Sequence, residues 1–458
     1  MNDKPNDATM HRNLNRRDFM RAGASASAAL LAGRAAYAAI PESLGSAPEL
    51  PFAAPPIENV RIGFVGVGNM GTNHVRNLLK IEGCQITAVC DIVESKVAAA
   101  QQLVVDAGFP KPAGYANGET DFQRMCAEED LDLVFTATPW RWHVPVCVAA
   151  MENGKHAATE VPAAVTIEEC WQLVETAEKQ QKHCIMMENC CYGRAEMQIL
   201  LMVRRGVFGD LLHGEGAYLH DLREFKFSFG EQGRWRRELS MTRNGNLYPT
   251  HGLGPIAQCM NINRGDRFSY MVSMSAPSMG LRRFAEEHFP EDDPRRAETF
   301  VNGDYSTSII KTELGRTIVV QYTCDAPRPY SRLNLLQGTR AITEGFPDRI
   351  YIEGRSPKDT WEPLEQYRPE FEHPLWGQIG ADATGAGHGG MDFLENYRLI
   401  KCLREGLPLD MDVYDAAAWT VVGPLSEQSV AHRAETVDFP DFTRGRWKHW
   451  QPIGIVDA

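Results

Sequence analysis

The chain has 458 residues, of which 43% are hydrophobic and 23% are charged, a composition that is typical of a globular protein with well-filled cores. Its formal net charge of -13 argues against nucleic acid or an anionic membrane surface as a partner. The eleven cysteines follow no repeating spacing and several lie in apolar runs, so we expect buried free thiols rather than a disulfide framework. The sequence is compatible with a homo-oligomer.

The first 57 residues are predicted to lie outside the folded domains. The segment Asn15-Arg16-Arg17-Asp18-Phe19-Met20 has the paired arginines of a twin-arginine export signal, and an Ala-rich run and a small-x-small cleavage site at Ala36-Tyr37-Ala38 follow it. We therefore predict a signal peptide over residues 1–38, a linker over residues 39–57, and a periplasmic or secreted protein. No later segment has 18 uninterrupted apolar residues, so we expect no membrane insertion of the mature chain.

Strands and helices alternate between residues 58 and 190. The predicted strands cover residues 60–65, 85–90, 131–137, 156–160 and 184–188. The predicted helices cover residues 69–80, 93–107, 121–128, 143–153 and 167–181. This alternation predicts an α/β fold with a doubly wound parallel sheet.

The pattern changes beyond about residue 209. Alternating or β-branched residues predict strands over residues 212–222, 306–314, 317–324 and 340–352, and an amphipathic helix is predicted over residues 392–406. We therefore predict a second, α+β domain over residues 191–458, with a largely antiparallel open sheet and a C-terminal helix that returns to the first domain.

A glycine-rich turn directly follows the first predicted strand. The segment Gly66-Val67-Gly68-Asn69-Met70-Gly71 opens a helix, and Asp91 stands twenty residues past its last glycine. In this context Gly66 permits the tight turn, Gly68 lets the backbone approach a pyrophosphate, and Gly71 allows close packing of the helix on the strand. Since the Asp91 carboxylate would bind ribose hydroxyls and repel a 2′-phosphate, we predict a Rossmann domain over residues 58–190 that binds NAD.

Beyond residue 58 the chain resembles the glucose-fructose oxidoreductase/inositol dehydrogenase superfamily, with two departures. Usual members carry Glu-Lys-Pro after the fifth strand, where this chain has Thr159-Glu160-Val161-Pro162. They also carry an aspartate four residues before a catalytic histidine, and Leu247 takes that position before His251. The resemblance thus implies that the cofactor site is intact, whereas two catalytic groups of the standard dehydrogenase are missing.

Four separated motifs resemble one branch, the NAD-dependent glycosidases of glycoside hydrolase family 109. These motifs are Thr138-Pro139-Trp140-Arg141-Trp142-His143, Thr159-Glu160-Val161-Pro162, Glu188-Asn189-Cys190-Cys191-Tyr192-Gly193-Arg194 and Gly245-Asn246-Leu247-Tyr248-Pro249-Thr250-His251-Gly252. The resemblance implies an enzyme that hydrolyses terminal α-linked N-acetylgalactosamine in glycans.

The resemblance also implies two sets of site residues. Besides the glycines, those expected to line NAD are Asn69, Met70, Asp91, Trp140, Arg141, Trp142, His143, Glu160, Val161 and Asn189. Those expected to line the sugar are Tyr218, Arg236, Tyr248, Pro249, Thr250, His251 and Tyr330. Tyr218 also fits core packing in a strand, Tyr330 also fits an ordinary loop aromatic, and any arginine between Arg234 and Arg237 could face the site. Because no Cys/His pair has the spacing of a zinc site, we predict no metal.

Export limits the chemistry, since NAD is not freely available outside the cytosol. A redox-neutral cycle avoids this limit: C3 of the sugar is oxidised, the C2 proton is removed, the leaving group departs from C1, water adds, and C3 is reduced again. The cycle needs no pair of flanking carboxylates. It needs one acceptor for the C3 hydroxyl proton and one base near C2, and His251 and Tyr248 are the candidates, with Tyr248 also suited to a hydrogen-bonding role.

Two other functions compete with this hypothesis. An exported NAD(P)-dependent sugar oxidoreductase that uses two sugars in turn would also be redox-neutral, but we would expect it to keep the lysine that Val161 replaces. A sugar-binding protein without activity would have no need to keep both the cofactor motif and the polar Tyr/His segment.

Overall fold

The computed structural model describes residues 54–228, 230–452 and 455. The predicted signal peptide and residues 39–53 of the predicted linker lie outside these residues. Within the described part of the chain, no helix is both long and apolar enough to cross a membrane.

A six-stranded parallel sheet forms the N-terminal half. Its strands are β1 (Val60–Val65), β2 (Cys84–Cys90), β3 (Ala113–Tyr115), β4 (Leu133–Thr136), β5 (His156–Thr159) and β6 (Cys184–Met186). The helices that alternate with them are α1 (Asn69–Leu78), α2 (Glu94–Asp106), α3 (Asp121–Glu128), α4 (His143–Glu152) and α5 (Ile167–Gln180). The strand order β3-β2-β1-β4-β5-β6, with all pairs parallel, is that of a Rossmann domain and confirms the predicted α/β fold.

Helices cover the faces of this sheet, which explains why its strands are continuous apolar runs. All four residues of β4 are buried, and Phe135 in β4 stacks on Phe64 in β1 with 4.7 Å between the ring centroids. The three-residue strand β3 was not predicted, because a segment of that length carries no measurable periodicity.

A nine-stranded sheet forms the C-terminal half. Its strands are β7 (Leu211–Leu219), β8 (Phe268–Ser275), β9 (Ser306–Thr312), β10 (Thr317–Thr323), β11 (Leu335–Gly338), β12 (Ala341–Glu344), β13 (Arg349–Ile352), β14 (Glu362–Pro363) and β15 (Val437–Asp438). The order is β14-β13-β12-β11-β7-β10-β9-β8-β15, and every pair is antiparallel except β7 with β10. The predicted largely antiparallel sheet is confirmed. The single predicted strand over residues 340–352 is wrong, since a turn containing Phe346 at φ 59° divides it into the hairpin β12–β13.

Ten helices of the described residues surround or connect these strands. They are α6 (Arg194–Arg204), α7 (Arg223–Ser228), α8 (Gly230–Thr242), α9 (Thr250–Cys259), α10 (Gly280–His288), α11 (Arg368–Phe371), α12 (Pro374–Ile379), α13 (Met391–Glu405), α14 (Val413–Thr420) and α15 (Val422–Ala431). Helix α13 packs on α1: the Asn396 side-chain amide lies 2.9 Å from Nδ1 of His74, and Asn77 donates to the carbonyl of Ala386. Helix α13 ends where Gly406 adopts a left-handed conformation.

Candidate active site

A cavity of about 1080 Å³ lies between the two halves of the chain. One wall consists of the residues that follow β1, β4 and β5 at the carboxyl edge of the parallel sheet, where the strand order reverses. The opposite wall comes from the C-terminal half and includes Tyr218, Arg236, Tyr248, His251 and His388. Ligands of doubly wound folds bind at this edge, so the cavity is the candidate active site.

The glycine-rich turn has the geometry of a pyrophosphate cradle. Gly66 has φ +83°, and a side chain at Gly71 would come within 1.9 Å of the Gly66 carbonyl oxygen. At Gly68 a Cβ would meet nothing within 4 Å, so the backbone there is open to a ligand. Helix α1 starts directly after Gly68 without a side-chain cap, which leaves its first N–H groups free for phosphate oxygens.

Asp91 lies in the cavity at the end of β2. Its Oδ2 accepts a hydrogen bond from the Val67 amide at 3.0 Å, and Oδ1 accepts one from the Val93 amide at 2.9 Å. These bonds fix the carboxylate, while each oxygen keeps a lone pair for a ribose hydroxyl. The negative charge would oppose a 2′-phosphate, so the residues present fit NAD.

The segment after β4 carries four of the residues predicted to line NAD, and all four line the cavity. Trp140 is buried, whereas Arg141 is exposed. His143 begins α4 with Nδ1 2.7 Å from the Pro162 carbonyl and Nε2 2.9 Å from the Thr138 carbonyl. Burial lowers the pKa of His143, so the neutral ring donates to one of the two carbonyls and ties this segment to the loop after β5.

Glu160, Val161 and Asn189 also line the cavity, and a buried polar network holds two of them. Oε1 of Glu160 lies 2.7 Å from Nε2 of His74, and Asn189 donates from Nδ2 to Oδ1 of Asp392 at 2.7 Å. Burial alone would lower the pKa of His74, but the Glu160 carboxylate outweighs it and raises that pKa. The apolar Val161 can exchange no proton with a substrate.

His251 lies against a buried carboxylate that the sequence analysis did not assign. Its Nδ1 is 2.7 Å from Oε1 of Glu188, which has no solvent exposure. Burial alone would raise the pKa of Glu188, but the attraction of His251 and a hydrogen bond from the Cys190 amide hold it below its usual value. The ionised Glu188 can only accept, so Nδ1 of His251 carries a proton, and Nε2 is the ring nitrogen that faces away from this contact.

His251 lies in the first turn of α9, although the proline before it and the two glycines after it would also suit a loop. The glycines that suggested a loop serve packing instead. A Cβ at Gly252 would come within 2.0 Å of the Ala217 amide nitrogen in β7, so only glycine lets the helix approach the sheet this closely.

Aromatic rings and an arginine surround Tyr248. Its ring stacks on Trp140 at 5.5 Å between centroids and contacts Tyr218 at 4.7 Å and His251 at 4.8 Å. The Arg236 guanidinium lies 5.6 Å from the centre of the Tyr248 ring. Burial raises the pKa of Tyr248 well above its usual value, so the phenol keeps its proton and serves as a hydrogen-bond donor rather than a base.

Arg236 is the arginine of its cluster that lines the cavity. Arg234 is exposed and pairs with Glu238 on its own helix, whereas Arg237 pairs with Glu298. Arg236 instead lies over Trp235, with 4.7 Å from the guanidinium carbon to the ring centre. The cavity therefore presents a cation held among aromatic rings.

Three residues predicted to line the sugar are not among those that line the cavity. Pro249 and Thr250 are buried at the start of α9, where their side chains belong to the core of the C-terminal half. Tyr330 contacts the edge of Tyr218 at 6.1 Å, and its hydroxyl accepts from Arg332 at 3.2 Å. Tyr330 thus supports a cavity residue from outside the lining.

Two further histidines line the cavity and were missed by the sequence analysis. Burial lowers the pKa of His220, whose Nδ1 lies 3.0 Å from the Tyr218 hydroxyl in a hydrogen bond. His388 lies 2.8 Å through Nδ1 from Oδ2 of Asp392, and this hydrogen bond raises the pKa of His388. Residues 385–390 contain four glycines, and that isolated histidine among glycines before a helix was the available signal.

Comparisons with known proteins agree with this geometry. The model of the oxidoreductase family with an NAD-binding Rossmann fold matches residues 60–188, and the model of the glycosyl hydrolase 109 C-terminal domain matches residues 192–449. A glycosyl hydrolase family 109 protein of Shewanella sp. strain MR-4 is 48% identical over 460 residues, covering 98% of this chain and all of the relative. The alpha-N-acetylgalactosaminidase of Shewanella oneidensis is 47% identical with the same coverage.

Solved structures share the fold at low sequence identity. Levoglucosan dehydrogenase in complex with NADH and levoglucosan aligns with a TM-score of 0.63 and 19% identity, covering 84% of this chain and all of that one. An inositol dehydrogenase homologue from Azotobacter vinelandii, complexed with NADH and myo-inositol, aligns with a TM-score of 0.62 and 20% identity, covering 83% and 98%.

The fold, the nucleotide cradle and the match over both halves of the chain lead to one assignment. This chain belongs to glycoside hydrolase family 109 and is an NAD-dependent glycosidase.

Proposed function

We propose that this glycosidase removes terminal α-linked N-acetylgalactosamine from glycans by an oxidation, elimination, addition and reduction cycle. The observation that carries the proposal is that His251 and His388 line the cavity that holds the nucleotide cradle, each paired with a buried carboxylate behind it, Glu188 and Asp392 respectively. The name of the Shewanella oneidensis relative supports the choice of sugar.

The carboxylates of the cavity lining do not favour direct displacement. Among the described lining residues they are Asp91, Glu119 and Glu160. Asp91 is engaged by backbone amides, Glu119 pairs with Arg141 at 2.7 Å, and Glu160 contacts His74. An ordinary glycosidase needs two carboxylates that flank the scissile bond, and each of these three has another partner.

Bound NAD supplies reversible hydride exchange with C3 of the sugar. His251 serves as a base, because Glu188 fixes its tautomer and stabilises the positive charge that the ring gains on accepting a proton. Tyr248, which keeps its own proton, and Arg236 orient the sugar by hydrogen bonding and charge. Val161 replaces the proton-transferring lysine that the oxidoreductase alternative would be expected to keep.

His388 protonates the leaving group. One base of the cavity takes the C3 hydroxyl proton as C3 is oxidised and returns it when C3 is reduced, and another takes the C2 proton. The C1–O bond then breaks with its electron pair on the departing oxygen, and His388 donates a proton to that oxygen. Water then adds to C1 while His388 takes back a proton, and C2 is reprotonated. The raised pKa of His388 suits this role, because a share of the ring is protonated near neutral pH.

The first test is incubation of the purified protein with 4-nitrophenyl N-acetyl-α-galactosaminide without added NAD. We expect release of nitrophenol and of unoxidised sugar over many turnovers, and cleavage of the matching thioglycoside, whose leaving group needs little protonation. An oxidised sugar as the net product would support the oxidoreductase alternative instead. Absence of cleavage by NAD-loaded protein would contradict the proposed sugar.

Two variants test the histidines. His388→Gln should cost about 10²- to 10⁴-fold with an alkyl glycoside and much less with the nitrophenyl glycoside, while His432→Gln, an exposed histidine bonded to its own helix, should change neither. His251→Ala should stop turnover without loss of NAD. If nicotinamide reduction by substrate persists in His251→Ala, His251 is the C2 base; if it stops, His251 accepts the C3 hydroxyl proton. Normal turnover in His251→Ala would refute both roles.

We also propose that the protein is exported already folded through the twin-arginine route. All eleven cysteines are buried and unpaired, which supports folding in a reducing compartment. A redox-neutral cycle would let bound NAD accompany the enzyme. Replacement of both Arg16 and Arg17 by Lys should retain the protein in the cytosol, as measured by cell fractionation, and unchanged export would contradict the proposal.

A further inference from the structure

Three side chains with metal-ligating atoms come together beside the cavity: Glu188, Cys190 and His251, of which His251 lines the cavity. Each offers one donor atom, and the three atoms lie within 4.8 Å of one another. Glu188 and Cys190 belong to the buried turn after β6, whereas His251 lies 63 residues beyond Glu188 in the chain. The prediction of no metal used sequence spacing, which could not reveal donors that the fold brings together from two segments.

The donor set suits a thiophilic divalent cation. Zinc binds thiolate at about 2.3 Å and imidazole or carboxylate at about 2.0–2.2 Å in tetrahedral geometry, which places donors roughly 3.3–3.7 Å apart. Since the three donors lie within 4.8 Å of one another, binding requires them to approach each other by roughly 1 Å. Oε2 of Glu188 is completely buried, and the side chain nearest to it in hydrogen-bonding terms is the Thr250 hydroxyl, which does not reach it in ordinary geometry, so this oxygen is desolvated and open to a stronger partner.

The charges around the cluster also favour a cation. The nearby cation of Arg332 pairs with Glu196 at 2.5 Å. The charges of Arg332 and Glu196 therefore largely offset each other, so this arginine does not outweigh the carboxylate that Glu188 contributes to the cluster.

We propose that Glu188, Cys190 and His251 form an inhibitory site for a thiophilic divalent cation such as Zn²⁺. Binding displaces the thiol proton of Cys190 to solvent and occupies a ring nitrogen of His251; if the cation takes Nδ1, the proton there moves to Nε2. Three protein ligands leave the fourth position to water. The cation removes a ring lone pair and the carboxylate contact of His251, so the base is lost. This consequence for activity rests on the proposed function, whereas binding of the cation does not.

The experiment measures binding and activity separately on the NAD-loaded protein. Equilibrium dialysis with Zn²⁺ should give one tightly bound ion per chain, and Co²⁺ should give the absorption of a cobalt–thiolate bond. Zn²⁺ should inhibit glycoside cleavage, and a chelator should restore it. Cys190→Ser should keep normal cleavage without metal and lose at least about tenfold in Zn²⁺ affinity and in sensitivity to inhibition.

Cys191→Ser is the matched control, since Cys191 is the adjacent buried cysteine and is not part of the cluster. It should bind Zn²⁺ as the wild type does. Wild-type protein that binds no Zn²⁺, or a Cys190→Ser variant that binds as tightly as Cys191→Ser, would overturn the proposal. If the protein lacks glycosidase activity, dialysis and the cobalt spectrum still decide whether the metal site exists. A failure of the metal-site proposal can therefore be distinguished from a failure of the proposed function.

Discussion

Replacement of Glu188 by Gln tests the proposal that the buried carboxylate of Glu188 supports His251 as a base. Gln has almost the same shape as Glu and its carbonyl can still accept from Nδ1 of His251, so the variant removes charge rather than packing. The Oε1–Nδ1 contact of 2.7 Å is a charge-assisted hydrogen bond at a site with no solvent exposure. Such bonds contribute about 1.5–3 kcal/mol, and about 1.4 kcal/mol corresponds to a tenfold change in rate, so kcat should fall about 10- to 100-fold.

The assay is the pH profile of kcat/KM with the nitrophenyl glycoside, together with the NAD content of the variant. The acidic limb should move to lower pH, because the attraction that lowers the pKa of Glu188 acts equally on its partner, and a neutral amide does not supply it. Bound NAD should be unchanged. Glu313→Gln, which breaks the partly exposed contact with Arg267 outside the cavity, serves as the control and should alter neither rate nor profile. A Glu188→Gln variant with normal kcat, or with reduced kcat and an unmoved acidic limb, would refute the role given to this pair.

Three further predictions concern the cofactor site and stability. The denatured wild-type protein should release NAD, and release of NADP would contradict the role given to Asp91. The Asp91→Ala variant should keep its fold but lose NAD during purification. Gly71→Ala should abolish NAD retention, because its Cβ would lie 1.9 Å from the Gly66 oxygen, and normal retention would show that the turn can shift. Burial lowers the pKa of His156 to about 4 and that of His183 to about 3, so both are neutral in the fold but titrate near 6.5 when unfolded. The unfolding free energy should therefore fall as the pH drops below about 6.5 towards 4, by up to about 1.4 kcal/mol per pH unit for each histidine. Urea unfolding at several pH values measures this, and an unfolding free energy that does not change between pH 6.5 and 4 would contradict it.

Most of the parallel sheet could be predicted from sequence, because its strands are buried on both faces and its helices are amphipathic and well spaced. Five of its six strands and all five helices lie where the pattern placed them, within a few residues at their ends. The C-terminal half was harder. Helix α9 contains two packing glycines, Gly252 against β7 and Gly254 against the turn after β6, and sequence alone does not separate a packing glycine from a flexible one.

Only part of the candidate site could be predicted from the sequence as well. The turn from Gly66 to Gly71 and Asp91 were predictable, because the cofactor requires fixed residue types at fixed spacing. The carboxylate partner of His251 was not, since Glu188 comes from a different strand end, and Leu247, at the position of the dehydrogenase aspartate, is buried. His388 was passed over because its dependence on Asp392 and its position in the cavity arise only from the fold.

The measurement that tests the central claim most directly is the fate of the C2 hydrogen during cleavage. The NAD-loaded enzyme should be incubated with the nitrophenyl glycoside in deuterium oxide until turnover is complete, and the released sugar examined by NMR and mass spectrometry. Elimination after C3 oxidation predicts deuterium at C2, because the proton removed there exchanges with solvent before C2 is reprotonated. A sugar that carries only protium at C2 would contradict the cycle and indicate direct displacement at C1.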